Sequence, residues 1–287
     1  MVKKYGDLYL DTRRALLEKE DAQMAGMMAK ELICHVTDNN TEFILANRDM
    51  YVSAETVAEV EKLQARLLEG EPLAYVLGHW EFYGLPLKVT SDVLIPRMDT
   101  EVLVDAVKEF LTGYKMDARV LDLCCGSGCI TCAVGHELPA TKLVAIDLSA
   151  SALEICRQNI AMNRLNSRVI CLQADATVSP PMGIGSFDVI ASNPPYIESD
   201  EIQTLDSSVK DYEPIWALDG GKDGLRFYKA IIKYWKSLLR PGGCIIFEVG
   251  ENQAQDVGEM LMAAGFESVS YRKDTQGIDR VVIGKIA

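Results

Sequence analysis

From residue 119 onward, seven apolar runs recur: RVLDL (119–123), KLVAI (142–146), RVICL (168–172), FDVIA (187–191), CIIFEV (244–249), FESVSY (266–271) and RVVIG (280–284). Helical stretches separate most of them. Near-continuous apolar strands are buried on both faces, so this alternation requires a mostly parallel sheet with helices on each side. The segment RKDTQGID between the last two runs is too short for a crossover helix. Those two strands should therefore form an antiparallel hairpin. The expectation is an α/β chain with a seven-stranded Rossmann-like sheet whose last strand is antiparallel.

The first part of the chain reads differently. YLDTRRALLEKE, DAQMAGMMAKELICHV and SAETVAEVEKLQARLLEG carry apolar residues at helical spacing. Asp21 and Ser53 are candidate N-caps, TDNN breaks the second helix, and Gly70 ends the third. Residues 1–72 are expected to form a helical docking domain. Residues 73–96 bring aromatic and β-branched residues punctuated by Gly78, Gly84, Pro86 and Pro96, and predict a hairpin linker. RMDTEVLVDAVKEFLTG predicts a helix capped by Asp99 or Thr100 and stopped at Gly113, opening a domain over residues 97–287.

Composition narrows the function. The chain is 48% hydrophobic and 25% charged, a globular balance. Its formal net charge of -13 argues against nucleic acid as a stable partner, because such surfaces carry a basic excess. No window reaches the roughly 18 apolar residues of a membrane span, and the N-terminal stretch has no apolar signal segment. A cytoplasmic protein without a membrane partner is expected. Four of its eight cysteines crowd into CCGSGCITC. Cys129 and Cys132 form a C-x-x-C pair, but no second pair follows at zinc spacing, so they read as small packing residues with no metal.

VLDLCCGSGCITCAVG runs from strand to glycine turn to helix. Gly126 and Gly128 let the main chain turn sharply and approach a ligand. Asp122 lies at the strand end before the turn. Asp147 ends the next strand, 19 residues after Gly128, where an acid can accept both hydroxyls of a ribose. Asp175 follows the third strand and can meet an adenine amine, with Ala176 offering a main-chain N–H. The third glycine of a dinucleotide fingerprint and the Walker lysine are missing. An adenosine ligand without a phosphate chain fits, and S-adenosyl-L-methionine is the evident one. Its ammonium and carboxylate are expected near Asp122 and the turn.

The fourth run ends in NPPY, Asn193 to Tyr196. Ligands of open α/β sheets bind at the carboxyl ends of the strands, so this motif should face the transferred group. The Asn193 side-chain oxygen and the Pro194 carbonyl can accept both N–H hydrogens of a planar nitrogen and hold it in line. Pro195 stiffens the turn, and the Tyr196 ring can stack on a planar target. The motif resembles that of methyltransferases acting on planar nitrogens. By itself it leaves a DNA adenine, an RNA base and a protein glutamine open.

Longer segments narrow the choice. EPLAYVLGHWEFYGLPLKV, VLIPRMDTEVLV, DLCCGSGCI, DLSASALEICRQN, FDVIASNPPYI, EPIWALDGGKDGL, LRPGGCIIFEVGENQ and DTQGIDRVV occur in an order and spacing similar to the HemK/PrmC family. These are the peptide chain release factor N5-glutamine methyltransferases. The resemblance covers nearly the whole chain. It implies a class I methyltransferase fold with an N-terminal helical domain. It also implies methyl transfer from S-adenosyl-L-methionine, with S-adenosyl-L-homocysteine as product, to the glutamine of the Gly-Gly-Gln loop of class 1 peptide chain release factors. Carried over by position, the cofactor turn falls on Cys124, Cys125, Gly126, Ser127 and Gly128. Ribose and adenine contacts fall on Asp147, Asp175 and Ala176. Asn193 touches cofactor and substrate, and Pro194, Pro195 and Tyr196 complete the substrate site. The chain departs from the family at Cys124-Cys125, where Gly-Thr is usual, at the residues after Arg97, and at Thr275. Arg97, Thr100 and Glu101 are kept.

Residues 197–227 are expected to cover the site as a partial lid, with Glu213 and Pro214 shaping the glutamine pocket. Glu248 reads as structural. The alternatives that stay open are a ribosomal-protein glutamine methyltransferase, a nucleic-acid amino methyltransferase, and a cofactor-binding protein without catalysis.

Overall fold

The computed structural model describes residues 3–287. Residues 1 and 2, the start of the expected helical domain, lie outside the described residues. The seven apolar runs form one sheet. Its strands are β1 (Arg119–Leu123), β2 (Lys142–Asp147), β3 (Val169–Gln173), β4 (Phe187–Ser192), β5 (Leu239–Glu248), β6 (Ser268–Lys273) and β7 (Asp279–Lys285). They lie in the order β3-β2-β1-β4-β5-β7-β6. Adjacent strands among β1 to β5 pair in parallel, and β7 is antiparallel to both β5 and β6.

Alternating side chains serve the two faces. Val120 joins a core with Leu103, Val107, Ile130 and Leu153. Its neighbour Leu121 joins the opposite core with Tyr228, Ile231, Trp235 and Phe247. Both faces are thus dry, which is why the runs are near-continuously apolar. The strand order reverses at β1: β2 and β3 extend to one side, β4 and β5 to the other. The carboxyl ends of β1 and β4 therefore flank the crevice where such sheets bind ligands.

β5 starts at Leu239, five residues ahead of the run CIIFEV. The added stretch holds Pro241, Gly242 and Gly243. The sheet takes them in as an irregularity: the pairing steps from Phe187↔Leu239 to Val189↔Cys244.

The chain divides into two compact units. One runs up to Gly78 and includes Ser207–Tyr212; the other comprises His79–Asp206 and Glu213–Ala287. The hairpin His79–Phe82 with Leu85–Lys88 falls in the second unit. Asn159, on the helix Ala150–Met162, accepts from the Lys88 N–H at 2.6 Å and donates to its carbonyl at 3.0 Å. The unit boundary therefore follows Gly78 instead of falling at residue 72.

In the first unit, Asp21 accepts from the N–H groups of Gln23 and Met24, both at 2.8 Å, and Ser53 accepts from Thr56 at 3.0 Å. Both act as N-caps for the helices Ala22–Thr37 and Ala54–Glu69. Gly70, at φ 102, ends the latter. Tyr5, Leu8, Ile33, Ile44, Val57 and Val60 form the core of this unit. The stretch TDNN does more than break a helix, because Asn40 caps a further short helix, Thr41–Ala46.

The helix Glu101–Tyr114 has neither expected end. A 3-10 turn, Met98–Thr100, leads into it without a side-chain cap, and it runs past Gly113. Thr100 turns its hydroxyl to another partner, described below. Among the described residues, no helix is long and apolar enough to cross a membrane.

Candidate active site

Four strand ends converge on one cavity of about 650 Å³, a size that encloses a small cofactor. Cys124 follows β1, Asp147 ends β2, Asp175 follows β3 and Asn193 follows β4. All four line the cavity, with Cys125, Gly126, Ser127, Ala176 and Pro195. Asp122, Gly128, Pro194 and Tyr196 do not line it.

The turn after β1 is built from left-handed backbone. Cys124 lies at φ 60, Gly126 at φ 52 and Gly128 at φ 78. A side chain at Cys124 is unusual there, because the left-handed region costs a non-glycine residue roughly 1–2 kcal/mol. Gly128 has a second reason to be glycine. A Cβ on it would sit 2.6 Å from the Cys156 sulfur. The turn and the helix behind it thus meet at one thiol.

Asp147 holds the turn in place. Its Oδ2 accepts from the Gly126 N–H at 2.8 Å and its Oδ1 from the Ser149 N–H at 2.9 Å. Burial raises its pKa, and these N–H groups oppose the rise. A carboxylate offers about four acceptor sites, so Asp147 keeps acceptor capacity for a hydroxyl. Asp175 engages one oxygen in a local turn: Oδ1 accepts from the Thr177 N–H at 2.7 Å and from its hydroxyl at 2.6 Å. Asp122 stands behind the turn, fully buried. Its Oδ2 accepts from the N–H and hydroxyl of Thr131, at 3.1 and 2.6 Å. Its Oδ1 has no partner among the described residues. Burial pushes this carboxyl up to about 7.

Asn193 is the reactive-looking group of the fourth strand end. Its Nδ2 donates to the Thr100 hydroxyl at 3.2 Å. That leaves its carbonyl oxygen as the end available to a ligand. Tyr196 packs against the apolar core, and burial raises its phenol pKa. Its main-chain oxygen accepts from Gln253 Nε2 at 2.8 Å. The rings that do line the cavity are Trp216 and Phe227, and Trp216 is 56% exposed.

Two glycines explain how the segment after the motif lies so close to it. A Cβ on Gly220 would meet the Tyr196 Cα at 2.7 Å, and one on Gly224 would meet the Tyr196 carbonyl oxygen at 2.4 Å. Ile197 donates to the Leu218 carbonyl at 3.0 Å and accepts from the Gly220 N–H at 2.8 Å. Ile215, Trp216, Ala217, Asp219, Arg226 and Phe227 then form one wall of the cavity. Glu213 ties that wall to the opposite one. Its buried carboxylate pairs with the Arg97 guanidinium and accepts from the Ile95 N–H at 3.1 Å.

The cysteines are free thiols, and Cys124, Cys125 and Cys129 line the cavity. Cys125 and Cys156 sulfurs are 4.0 Å apart, and Cys156 and Cys171 sulfurs 3.9 Å. Burial pushes the Cys132 thiol up to about 12, which makes it a packing group and a poor nucleophile.

Sequence reasoning took Thr100 for a helix cap and Glu248 for a structural residue, and it overlooked Gln253, Trp216 and Phe227. Gln253 had one signal, its place just beyond a strand end in VGENQ. Trp216 had none beyond lying in a long polar segment.

Comparison with known proteins bears on the whole chain. The family model described as Methyltransferase small domain matches residues 97–208, and that described as PrmC N-terminal domain matches residues 9–78. The chain is 39% identical to the release factor glutamine methyltransferase of Thermodesulfovibrio yellowstonii, over 89% of this chain and 90% of that one. It is 38% identical to the protein of the same name from Geobacter sulfurreducens, over 96% and 95%. A solved methyltransferase from Pyrococcus furiosus shares the fold, with TM-score 0.52 and 21% identity over 78% of this chain and 98% of that one. With this identity sustained across both units, the chain belongs to the release factor glutamine methyltransferase family.

Proposed function

We propose that the protein transfers a methyl group from S-adenosyl-L-methionine to the side-chain amide nitrogen of the glutamine in the Gly-Gly-Gln motif of class 1 release factors. The observation that carries the reading is Asn193: it lines the cavity at the end of β4 with its amide nitrogen already engaged by Thr100. An acceptor is therefore the end left for an incoming N–H.

The cavity suits an adenosine-type cofactor. Asp147 keeps acceptor capacity for a ribose diol. The turn offers bare main chain at Gly126, and the Asp175–Ala176 edge lies where an adenine would be read. When bound, S-adenosyl-L-methionine supplies an electrophilic methyl on a sulfonium and leaves as S-adenosyl-L-homocysteine.

The remaining work falls to the protein. A glutamine amide nitrogen is a weak nucleophile because its lone pair is delocalised. Asn193 Oδ1 accepts one of its hydrogens, which fixes the nitrogen in line and favours pyramidal geometry as the C–N bond forms. One hydrogen leaves as a proton to water once the nitrogen carries the methyl, so no residue has to act as a strong base. Trp216 and Phe227 offer apolar surface against which glycines of the target loop can lie.

The test is methyl transfer from labelled S-adenosyl-L-methionine in the presence of purified release factor, ribosomal proteins and DNA. Label is expected in the release factor and absent when its Gly-Gly-Gln glutamine is replaced by alanine. Label confined to nucleic acid or ribosomal protein overturns the reading. Asn193→Ala is expected to lower kcat at least 100-fold, on the order of the loss of one transition-state contact, while cofactor binding survives.

A further inference from the structure

Glu248 ends β5 in the middle of the sheet, with 1% of its surface exposed. The last registered pair between β4 and β5 is Ser192↔Phe247. Glu248 therefore stands one step beyond it, level with Asn193. Thr100, itself 2% exposed, and Asn193 both favour the ionised form of the Glu248 side chain. Asn193 Nδ2 also donates to the Thr100 hydroxyl at 3.2 Å. The Glu248 Oε2 is buried without a partner among the described residues. Such an orphan costs stability, of the order of 1–3 kcal/mol. A purely structural site would favour an apolar or amide side chain here. A retained, incompletely paired acid is expected where chemistry needs it.

We infer that Glu248 is a positioning residue: its carboxylate orients the Thr100 hydroxyl and the Asn193 amide, and so decides which end of that amide faces the methyl acceptor. The inference rests on the role proposed above for Asn193. The two ends of an asparagine amide have nearly the same shape. Shape alone cannot stop a flip. A flipped Asn193 would present N–H hydrogens to a target that also presents N–H hydrogens. An ionised carboxylate only accepts. It takes the Thr100 hydroxyl hydrogen, turning the Thr100 oxygen towards Asn193 Nδ2, and it attracts Nδ2 directly. A protonated Glu248 can donate to Thr100 instead, and the polarity of the ring is lost.

The charged and titratable groups around Glu248 are Arg280 on β7, Asp99 in the turn before Thr100, Tyr196 after β4, and Tyr228 on the helix Arg226–Trp235, whose hydroxyl donates to the Glu248 main-chain carbonyl at 2.8 Å. Arg280 favours the ionised form of Glu248 and Asp99 opposes it. Arg280 is itself shared, bonding Asp274 at 3.1 Å and lying 3.6 Å from Asp99. Burial, the largest influence, lifts Glu248 to about 7, with Thr100 and Asn193 holding it back. Amide orientation is thus under acid control close to neutrality.

The test measures kcat against pH for transfer from labelled S-adenosyl-L-methionine to purified release factor, both saturating. In the unaltered protein kcat should fall as pH drops through about 7. Asp122→Asn, measured alongside, should keep the acid limb, which separates Glu248 from the other carboxyl lifted to about 7. Glu248→Gln should lower kcat roughly 10- to 100-fold at pH 8, as misplacement of a contact does, with little change in KM for the cofactor and without the acid limb. Thr100→Ser should retain kcat and Thr100→Val should lose it, and Glu248→Gln added to Thr100→Val should cost little more, because both act on one amide. The inference is overturned if folded Glu248→Gln keeps both the kcat and the pH profile of the parent. If Glu248→Gln does not fold, equal kcat in Thr100→Ser and Thr100→Val overturns it. An active Asn193→Ala would instead sink the reading of Asn193 on which it rests.

Discussion

Gly128 carries two constraints at one atom: a left-handed φ of 78 and a missing Cβ that would lie 2.6 Å from the Cys156 sulfur. Gly128→Ala should therefore lower both stability and cofactor affinity. The expected loss is about 2–3 kcal/mol, combining overpacking with left-handed strain. Adding Cys156→Ala should recover the packing part and leave the strain, which chemical denaturation of the single and double variants would separate. No recovery would mean that the thiol is not what the turn packs against. Sequence alone identified Gly126 and Gly128 as turn residues because glycine spacing after an apolar run has few other uses. It gave no reason for Cys156, which is distant in the chain and fixed only by the packing of the helix Ala150–Met162. It also undervalued Glu248 and Thr100. Their meaning depends on which side chains meet across β4, β5 and the helix Glu101–Tyr114, and no local pattern carries that.

Strands and helices were more legible than their ends. Near-continuous apolar runs marked the inner strands, since burial on both faces leaves no polar alternation to confuse them, whereas the edge strand β6 is mostly exposed. Caps with a side-chain oxygen, Asp21 and Ser53, were readable; Thr100 was misread because a threonine before a helix has the same local signature whether it caps or reaches elsewhere. Burial lifts two of the sheet's acids, Asp122 on β1 and Glu248 on β5, to about 7. The sign follows from linkage. Between the unfolded carboxyl range near 4 and about 7, the folded state binds more protons than the unfolded one. Each acid therefore contributes stability at low pH that is lost as pH rises to about 7 and stays lost above it. Asp122→Asn should remove part of this slope whatever its absolute stability. Urea unfolding at pH 5 and pH 8 should show the parent losing more across that interval than the variant, by up to a few kcal/mol. Parallel behaviour would show that Asp122 is ionised throughout. The wall of the cavity offers a second test. Glu213→Ala leaves Arg97 and the Ile95 N–H without their acceptor. Because Arg97 is partly exposed and can turn to water, the expected cost is on the order of 2 kcal/mol, with a rise in KM for cofactor larger than any change in kcat.

At the scale of the molecule, the sequence order and the spatial order of the strands differ in one place that matters. β6 precedes β7 in the chain, yet β7 lies between β5 and β6. For a growing chain this sets a sequence of events. Until residues 279–285 have emerged, β5 presents an open apolar edge carrying Ile245, Ile246 and Phe247, and β6 has no strand to pair with. The nascent sheet is exposed to pairing with other chains during that interval, and closure comes in one late step. A ribosome-bound chain stalled before Asp279 should be protease-sensitive across β5 and β6 and recruit chaperones. One stalled after β7 has cleared the exit tunnel should be resistant. Equal resistance at the two stall points would mean that β5 and β6 find shelter without the strand that separates them.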